Sequence, residues 1–172
     1  IYSVGQCGAE GSDVSWELNA KSMALSISGT GAMTDYASNS NVPWYSVCGK
    51  ITSATIAEGV TSVGNYAFYS CSSMATVSIP DGVTSIGNYA FYNCSALTAI
   101  SIPAAVTAIG EYAFRVCTGL TTVTIPDGVT EISNYAFADC AALTTISIPD
   151  GVTSIGISAF ANCAALTSID IP

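Results

Sequence analysis

A 23-residue period runs through this chain from Ile56 onward and leaves few folds open to it. The units read IAEGVTSVGNYAFYSCSSMATVS from Ile56, IPDGVTSIGNYAFYNCSALTAIS from Ile79, IPAAVTAIGEYAFRVCTGLTTVT from Ile102, IPDGVTEISNYAFADCAALTTIS from Ile125 and IPDGVTSIGISAFANCAALTSID from Ile148. Phe68, Phe91, Phe114, Phe137 and Phe160 recur at this interval, as do Cys71, Cys94, Cys117, Cys140 and Cys163. A unit this short cannot bury its apolar face alone, whereas stacked units share those faces, so the period marks a solenoid.

Within one unit the apolar positions are Ile79, Val83, Ile86, Ala90, Phe91, Cys94, Leu97 and Ile100. The alternation over residues 97–102 predicts a short strand with Ile100 and Ile102 inward and Ala99 and Ser101 outward. Pro103 ends it, having no N–H for the ladder. Asp81-Gly82, Asp127-Gly128 and Asp150-Gly151 predict turns in which Gly takes a positive φ. Residues 88–94 are too few for a long helix and suit short helical or 3-10 turns. Strands stack at about 4.8 Å and helical segments need roughly 10 Å, which curves the array toward its strands unless the turns are thin. The expectation is therefore an α/β repeat solenoid with short parallel strands on the concave face and short helical turns on the convex face.

The first fifty residues read as an amino-terminal β-hairpin cap. Val14, Trp16 and Leu18 alternate with polar neighbours, as do Met23, Leu25 and Ile27, and residues 19–22 can turn between them. Residues 1–50 are thus expected to form the cap, and 51–172 an array of about five 23-residue units. No matching cap follows Ile171, which leaves open a natural protein that continues, a trimmed chain, or an end that meets another subunit.

Composition narrows the partners. Lys21, Lys50 and Arg115 stand against 12 acidic residues, for a net charge of −9, too few cations to neutralise a phosphate backbone, so nucleic acid is not expected. No apolar run approaches the roughly 18 residues of a membrane span. Ile1, with no basic and apolar leader before it, suits a mature exported chain or a trimmed one.

Units of the form I-P-x-x-V-x-x-I-G-x-x-A-F-x-x-C-x-x-L-x-x-I-x, with the core Ala90-Phe91-Tyr92-Asn93-Cys94, resemble the BspA-like, or Treponema-type, leucine-rich repeats of bacterial surface and secreted proteins. The likeness runs from about Ile51 to Pro172. Residues 25–36 and Pro43-Trp44-Tyr45 look like the stretch that precedes such arrays. The resemblance implies a curved leucine-rich-repeat solenoid, an extracellular or cell-surface location and a role in adhesion or protein binding. It supplies no catalytic residues.

The repeat cysteines invite a metal or redox ladder. With no His in the chain and each Cys at an inward position, buried free thiols filling space are the preferred reading, with no metal or cofactor. Cys7 and Cys48 lie outside the array, and a disulfide between them in an exported protein stands against two separate thiols. Outward strand positions include Thr76, Ser78, Ser101, Thr122, Thr124, Thr145, Ser147 and Asp170, a sheet of hydroxyls that could bind protein, glycan or ice or be merely soluble strand residues, the favoured alternative. Tyr66, Tyr89, Tyr112 and Tyr135, with Tyr69 and Tyr92 beside them, are the better binding candidates, set against half-buried packing. Glu58, Asp81, Asp127 and Asp150 would form an acidic edge, each with a turn role of its own. Without an imidazole base, the many Ser and Cys residues have no activator, and no catalysis is expected. The function expected is an exported or surface module that binds a protein or host-surface ligand. The alternative is a structural subunit that self-associates end to end through its uncapped carboxyl-terminal repeat.

Overall fold

The computed structural model describes residues 2–171. Three antiparallel strands open the chain, β1 (Tyr2–Gln6), β2 (Asp13–Asn19) and β3 (Ala24–Ala32). β2 and β3 are the two segments whose alternation is plain, with Leu18 buried across from Leu25 and Val14 buried across from Gly29. β1 adds an outer strand that the sequence reading missed, pairing Gly5 with Trp16. A side chain at Gly5 would meet Trp16 Nε1 at 2.7 Å, so this position stays bare.

β3 also starts the parallel stack. β4 (Ser53–Ile56) and β5 (Val60–Val63) both lie parallel to it, and from there each coil of chain sits on the one before. Ser53, Ala54 and Thr55 of β4 pair with Thr76, Val77 and Ser78 of β6 (Thr76–Ser78), and Thr122, Val123 and Thr124 of β9 (Thr122–Thr124) with Thr145, Ile146 and Ser147 of β11 (Thr145–Ser147). Ala99 bridges to Thr122 in the coil between. A second ladder, unread in the sequence, runs through β5, β7 (Ser85–Ile86) and β8 (Ala108–Ile109), and resumes in β10 (Glu131–Ile132) and β12 (Ser154–Ile155).

The remaining side corrects the expectation of helical turns. Within a coil, Tyr69 N donates to Tyr66 O and Cys71 N to Phe68 O, as in a tight turn. Yet Tyr66, Ser70, Tyr89 and Asn93 take positive φ, which a helix does not allow. The alternate N–H groups instead cross to the next coil. Tyr66, Phe68 and Ser70 donate to Asn88, Ala90 and Tyr92 carbonyls at 2.7–2.9 Å, and the same three bonds recur one unit on from Tyr89, Phe91 and Asn93. This side is a third backbone ladder. The 3-10 helices, Asn39–Asn41 and Tyr45–Lys50, lie between β3 and β4.

The Asp-Gly turns are corrected too. Val83 N donates to Pro80 O, Val129 N to Pro126 O and Val152 N to Pro149 O, closing ordinary four-residue turns. Gly82, Gly128 and Gly151 are not among the positive-φ glycines. Ala104-Ala105 forms the same turn in the third unit, with Val106 N on Pro103 O at 3.0 Å. Gly59 does need its freedom, with φ 98 and a notional Cβ only 2.7 Å from Gly29 O.

The core fills the stack from end to end. Phe68, Phe91, Phe114, Phe137 and Phe160 form one pile of near-parallel rings with centroids 5.1–5.8 Å apart. Trp44 closes its lower end 6.4 Å from Phe68 and donates Nε1 to Ala67 O at 2.7 Å.

Candidate binding surfaces

Columns of like residues follow from the parallel register, and they divide into those that hold coils together and those left facing outward. Thr84 Oγ1 donates to Thr61 O, Thr107 to Thr84, Thr121 to Thr98, Thr144 to Thr121 and Thr153 to Thr130, at 3.1–3.5 Å. These hydroxyls are rungs. Asparagines do the same at another corner. Asn65 Oδ1 accepts Asn88 N at 2.7 Å, Asn88 Oδ1 accepts Glu111 N at 2.8 Å and Asn134 Oδ1 accepts Ile157 N at 2.8 Å.

The asparagine rungs explain a neighbouring glycine. A Cβ at Gly87, Gly110 or Gly156 would lie 2.5–2.6 Å from the N atom of the Asn beneath. Where Glu111 replaces Asn, the residue above is Ser133, whose Oγ donates to Ile109 O at 2.7 Å. Asn134 Nδ2 there donates to Glu111 Oε1 at 2.9 Å.

The cysteines have a role beyond filling space. Cys94, Cys117, Cys140 and Cys163 each donate Sγ–H to the Phe carbonyl of the coil before, Phe68, Phe91, Phe114 and Phe137, at 3.1–3.2 Å. All seven thiols are free and buried. Burial pushes Cys117 up to about 12, and Cys71, Cys94 and Cys140 are likewise raised. Cys7 and Cys48 are not joined. Cys7 lies beside Tyr36, and burial lifts it to about 12, whereas Cys48 neighbours Cys71 at the foot of the cysteine column.

Two outward surfaces remain. Thr76, Ser78, Thr122, Thr124, Thr145 and Ser147 are exposed along the first ladder, and Ser101 and Asp170 are exposed outside any strand. Ser101 lies in the coil held by a single bridge. A pocket of about 400 Å³ at the edge of this surface is lined by Asp127, Ser147, Pro149 and Asp150.

The tyrosines gather on the third ladder. Tyr66, Tyr89, Tyr112 and Tyr135 stack face to face with centroids 4.6–4.9 Å apart and planes within 6°. Tyr69 and Tyr92 stack beside them at 4.8 Å. Arg115 succeeds Tyr92 in that second column, its guanidinium carbon 5.7 Å from the Tyr112 centroid and 5.5 Å from that of Tyr135. Arg115 Nε donates to Asp139 Oδ2 at 2.8 Å, and Asn162 Nδ2 donates to Asp139 Oδ1 at 2.7 Å. The hydrogen bond to Asp139 raises Arg115 above its ordinary value, and those from Asn162 and Arg115 lower Asp139. Burial, with the neighbouring phenols, raises Tyr69 and Tyr89. All six tyrosines are half-buried, and the rings inside the longer column have both faces covered by their neighbours. Those inner faces are therefore closed to a stacking ligand.

A stack of short coils with a leucine or isoleucine seam and backbone ladders on its sides defines a leucine-rich-repeat protein. The model of the BspA type leucine rich repeat region matches residues 41–167 in six copies, and the chain belongs to that family. A leucine-rich repeat protein from Eubacterium ventriosum is 32% identical, with a TM-score of 0.73 over 90% of this chain and 40% of its own. One from Bacteroides ovatus is 23% identical, with a TM-score of 0.64 over 99% of this chain and 52% of its own. The T. pallidum leucine rich repeat protein is 20% identical, with a TM-score of 0.61 over 94% of this chain and 91% of its own, and these last two share the fold. This chain spans less than half of the Eubacterium ventriosum protein. No curated protein matches it.

Proposed function

We propose that this chain is an exported or cell-surface module for adhesion or protein recognition, without catalytic activity, and that it binds through its tyrosine strip. In this reading residues 1–50 cap a curved solenoid formed by residues 51–172, with the first ladder on its concave face. The observation that carries it is the pair of tyrosine columns, the second continued by Arg115. Tyr gives rigid contact area at little entropic cost, and Tyr and Arg are the residues that dominate protein interfaces. The strip's Ser70 and Asn93, joined at 3.3 Å, add polar contacts of the kind recognition surfaces use. The hydroxyl surface is the weaker candidate, since its exposed positions carry no aromatic or Arg anchor.

The test is adhesion to host-cell surfaces and to immobilised extracellular proteins by the purified chain and two variants. Y69S/Y92S/R115A should abolish binding, and T122S/T145S should leave it intact. Binding that survives loss of the strip would overturn the reading, as would a wild-type protein found only in the cytoplasm of its cell.

The exposure of Ile155 and Ile157, at 38% and 68%, favours a second reading, a subunit that stacks end to end. A following coil, of this chain or of another copy, would cover both. Analytical ultracentrifugation separates the readings, because a monodisperse monomer rules out the filament.

A further inference from the structure

The Asp-Gly turns are left unexplained by the fold. Ala104-Ala105 closes the same turn at the same length, and a Cβ at Gly82 would have only Val60 O near it, at 3.9 Å. The carboxylate is not needed for the shape and neither is the glycine at 82, whereas a Cβ at Gly128 or Gly151 would sit 3.1 Å from Thr107 Cγ2 or 3.2 Å from Asp127 O. What the pair does bring is reactivity between one side chain and one backbone nitrogen.

We infer that Asp81, Asp127 and Asp150 are sites of spontaneous backbone isomerisation, the first coil, with Glu58, and the third, with Ala104, being exempt. All three aspartates, and the glycines after them, are exposed. Gly82, Gly128 and Gly151 N–H groups take part in none of the backbone bonds of the described turns and coils, where the N–H of the following Val closes the turn instead. Glycine offers no Cβ to obstruct the approach of that nitrogen to the preceding carboxyl carbon. Other aspartates are followed by larger residues, Asp13 by Val14, Asp35 by Tyr36, Asp139 by Cys140 and Asp170 by Ile171, and no Asn precedes a Gly. The sequence therefore confines the chemistry to one corner of three coils.

The step balances without a co-reactant other than water. The Gly82 amide nitrogen attacks Cγ of the protonated Asp81 carboxyl, a C–N bond forms, and the carboxyl hydroxyl leaves as water with the amide hydrogen. The resulting succinimide takes up water at either carbonyl. Addition at Cγ restores aspartate. Addition at the backbone carbonyl carbon leaves the chain running through the side chain, one methylene longer, with the carboxylate moved onto the backbone branch. That insertion falls inside the ring closed by Val83 N and Pro80 O, and the residue after that ring is Thr84, whose N and Oγ1 both bond Thr61 O. Isomerised coils should lose that turn bond and loosen the adjoining rung.

The experiment is incubation of the intact folded protein in mildly acidic buffer at body temperature. It is followed by labelling with an isoaspartyl methyltransferase and a radioactive methyl donor, and by peptide mapping with an aspartate-specific protease that does not cut at isoaspartate. Label and loss of cleavage are expected at 81, 127 and 150, with none at 13, 35, 139 or 170. G82A, whose side chain the third coil shows to fit, should lose the signal at 81 and keep it at 127 and 150. A folded protein that stays unlabelled while a peptide spanning residues 79–84 converts would overturn the inference. So would label that appears only after denaturation, or label spread evenly over all aspartates.

Discussion

At the scale of single residues, the cost of the repeat is visible where one side chain is at odds with its backbone. The positions occupied by Ser70, Asn93, Val116, Asp139 and Asn162 all take positive φ, 56–63°. Asn and Asp accept that region readily, but a β-branched Val there is strained by roughly 1–2 kcal/mol. Val116→Asn should stabilise the protein by about 1 kcal/mol in urea unfolding, and its amide can join the side-chain column in which Asn93 already donates to Ser70. The cysteines predict a pH dependence. Burial raises Cys117 from its ordinary 9.0 to about 12, so within that interval the folded state holds a proton that the unfolded chain releases. Stability from this group is intact below 9.0 and is lost as pH climbs toward about 12. Urea midpoints should therefore fall across that window, and a thiol reagent at neutral pH should modify the repeat cysteines only after unfolding.

At the scale of the element, the glycine that sits over each rung asparagine is a packing demand. Gly110→Ala places a Cβ 2.5 Å from Asn88 N, a backbone atom with no rotamer to escape through, and should destabilise by about 1–3 kcal/mol. Gly82→Ala, in open space, should change stability by no more than about 0.5 kcal/mol. Thermal unfolding of the pair checks both. The contrast also marks what a sequence shows and hides. Phe68, Phe91 and the cysteines declare the stack because every unit must repeat them, and Val14, Trp16 and Leu18 declare a strand by alternation over seven residues. Ser85-Ile86 is too short to show alternation, and its ladder exists only because coils align. The turns at Tyr89 and Asn93 resemble helix in composition, and their positive φ is set by hydrogen bonds to the next coil that local propensity does not contain. The tyrosine columns were legible as a period, whereas their face-to-face contact and the placing of Arg115 between Tyr112 and Tyr135 required the register. That Cys94 serves the Phe68 carbonyl follows from a contact 26 residues back along the chain, and no local pattern announces it.

For the whole molecule, the sparse positive charge has a practical outcome. Lys21 sits in the exposed turn after β2 and Lys50 is exposed at the end of a 3-10 helix. Within residues 51–172 the one basic residue is Arg115, held by Asp139 and flanked by two rings. Trypsin acting on native protein should cut at 21 and 50 and leave the remainder as one resistant fragment on a gel, since cleavage at Arg115 needs local opening of bonded coils. The backbone ladders join residues 23 apart, as Thr84 to Thr61 and Thr107 to Thr84, which quantises the permissible lengths of the chain. Excising 102–124 brings Ser101 to Ile125 and restores each column, whereas excising one residue fewer throws Phe, Cys and Asn out of step above the cut. A gene of this kind can therefore grow or shrink by recombination in whole modules, and changes of any other length are expected to be purged.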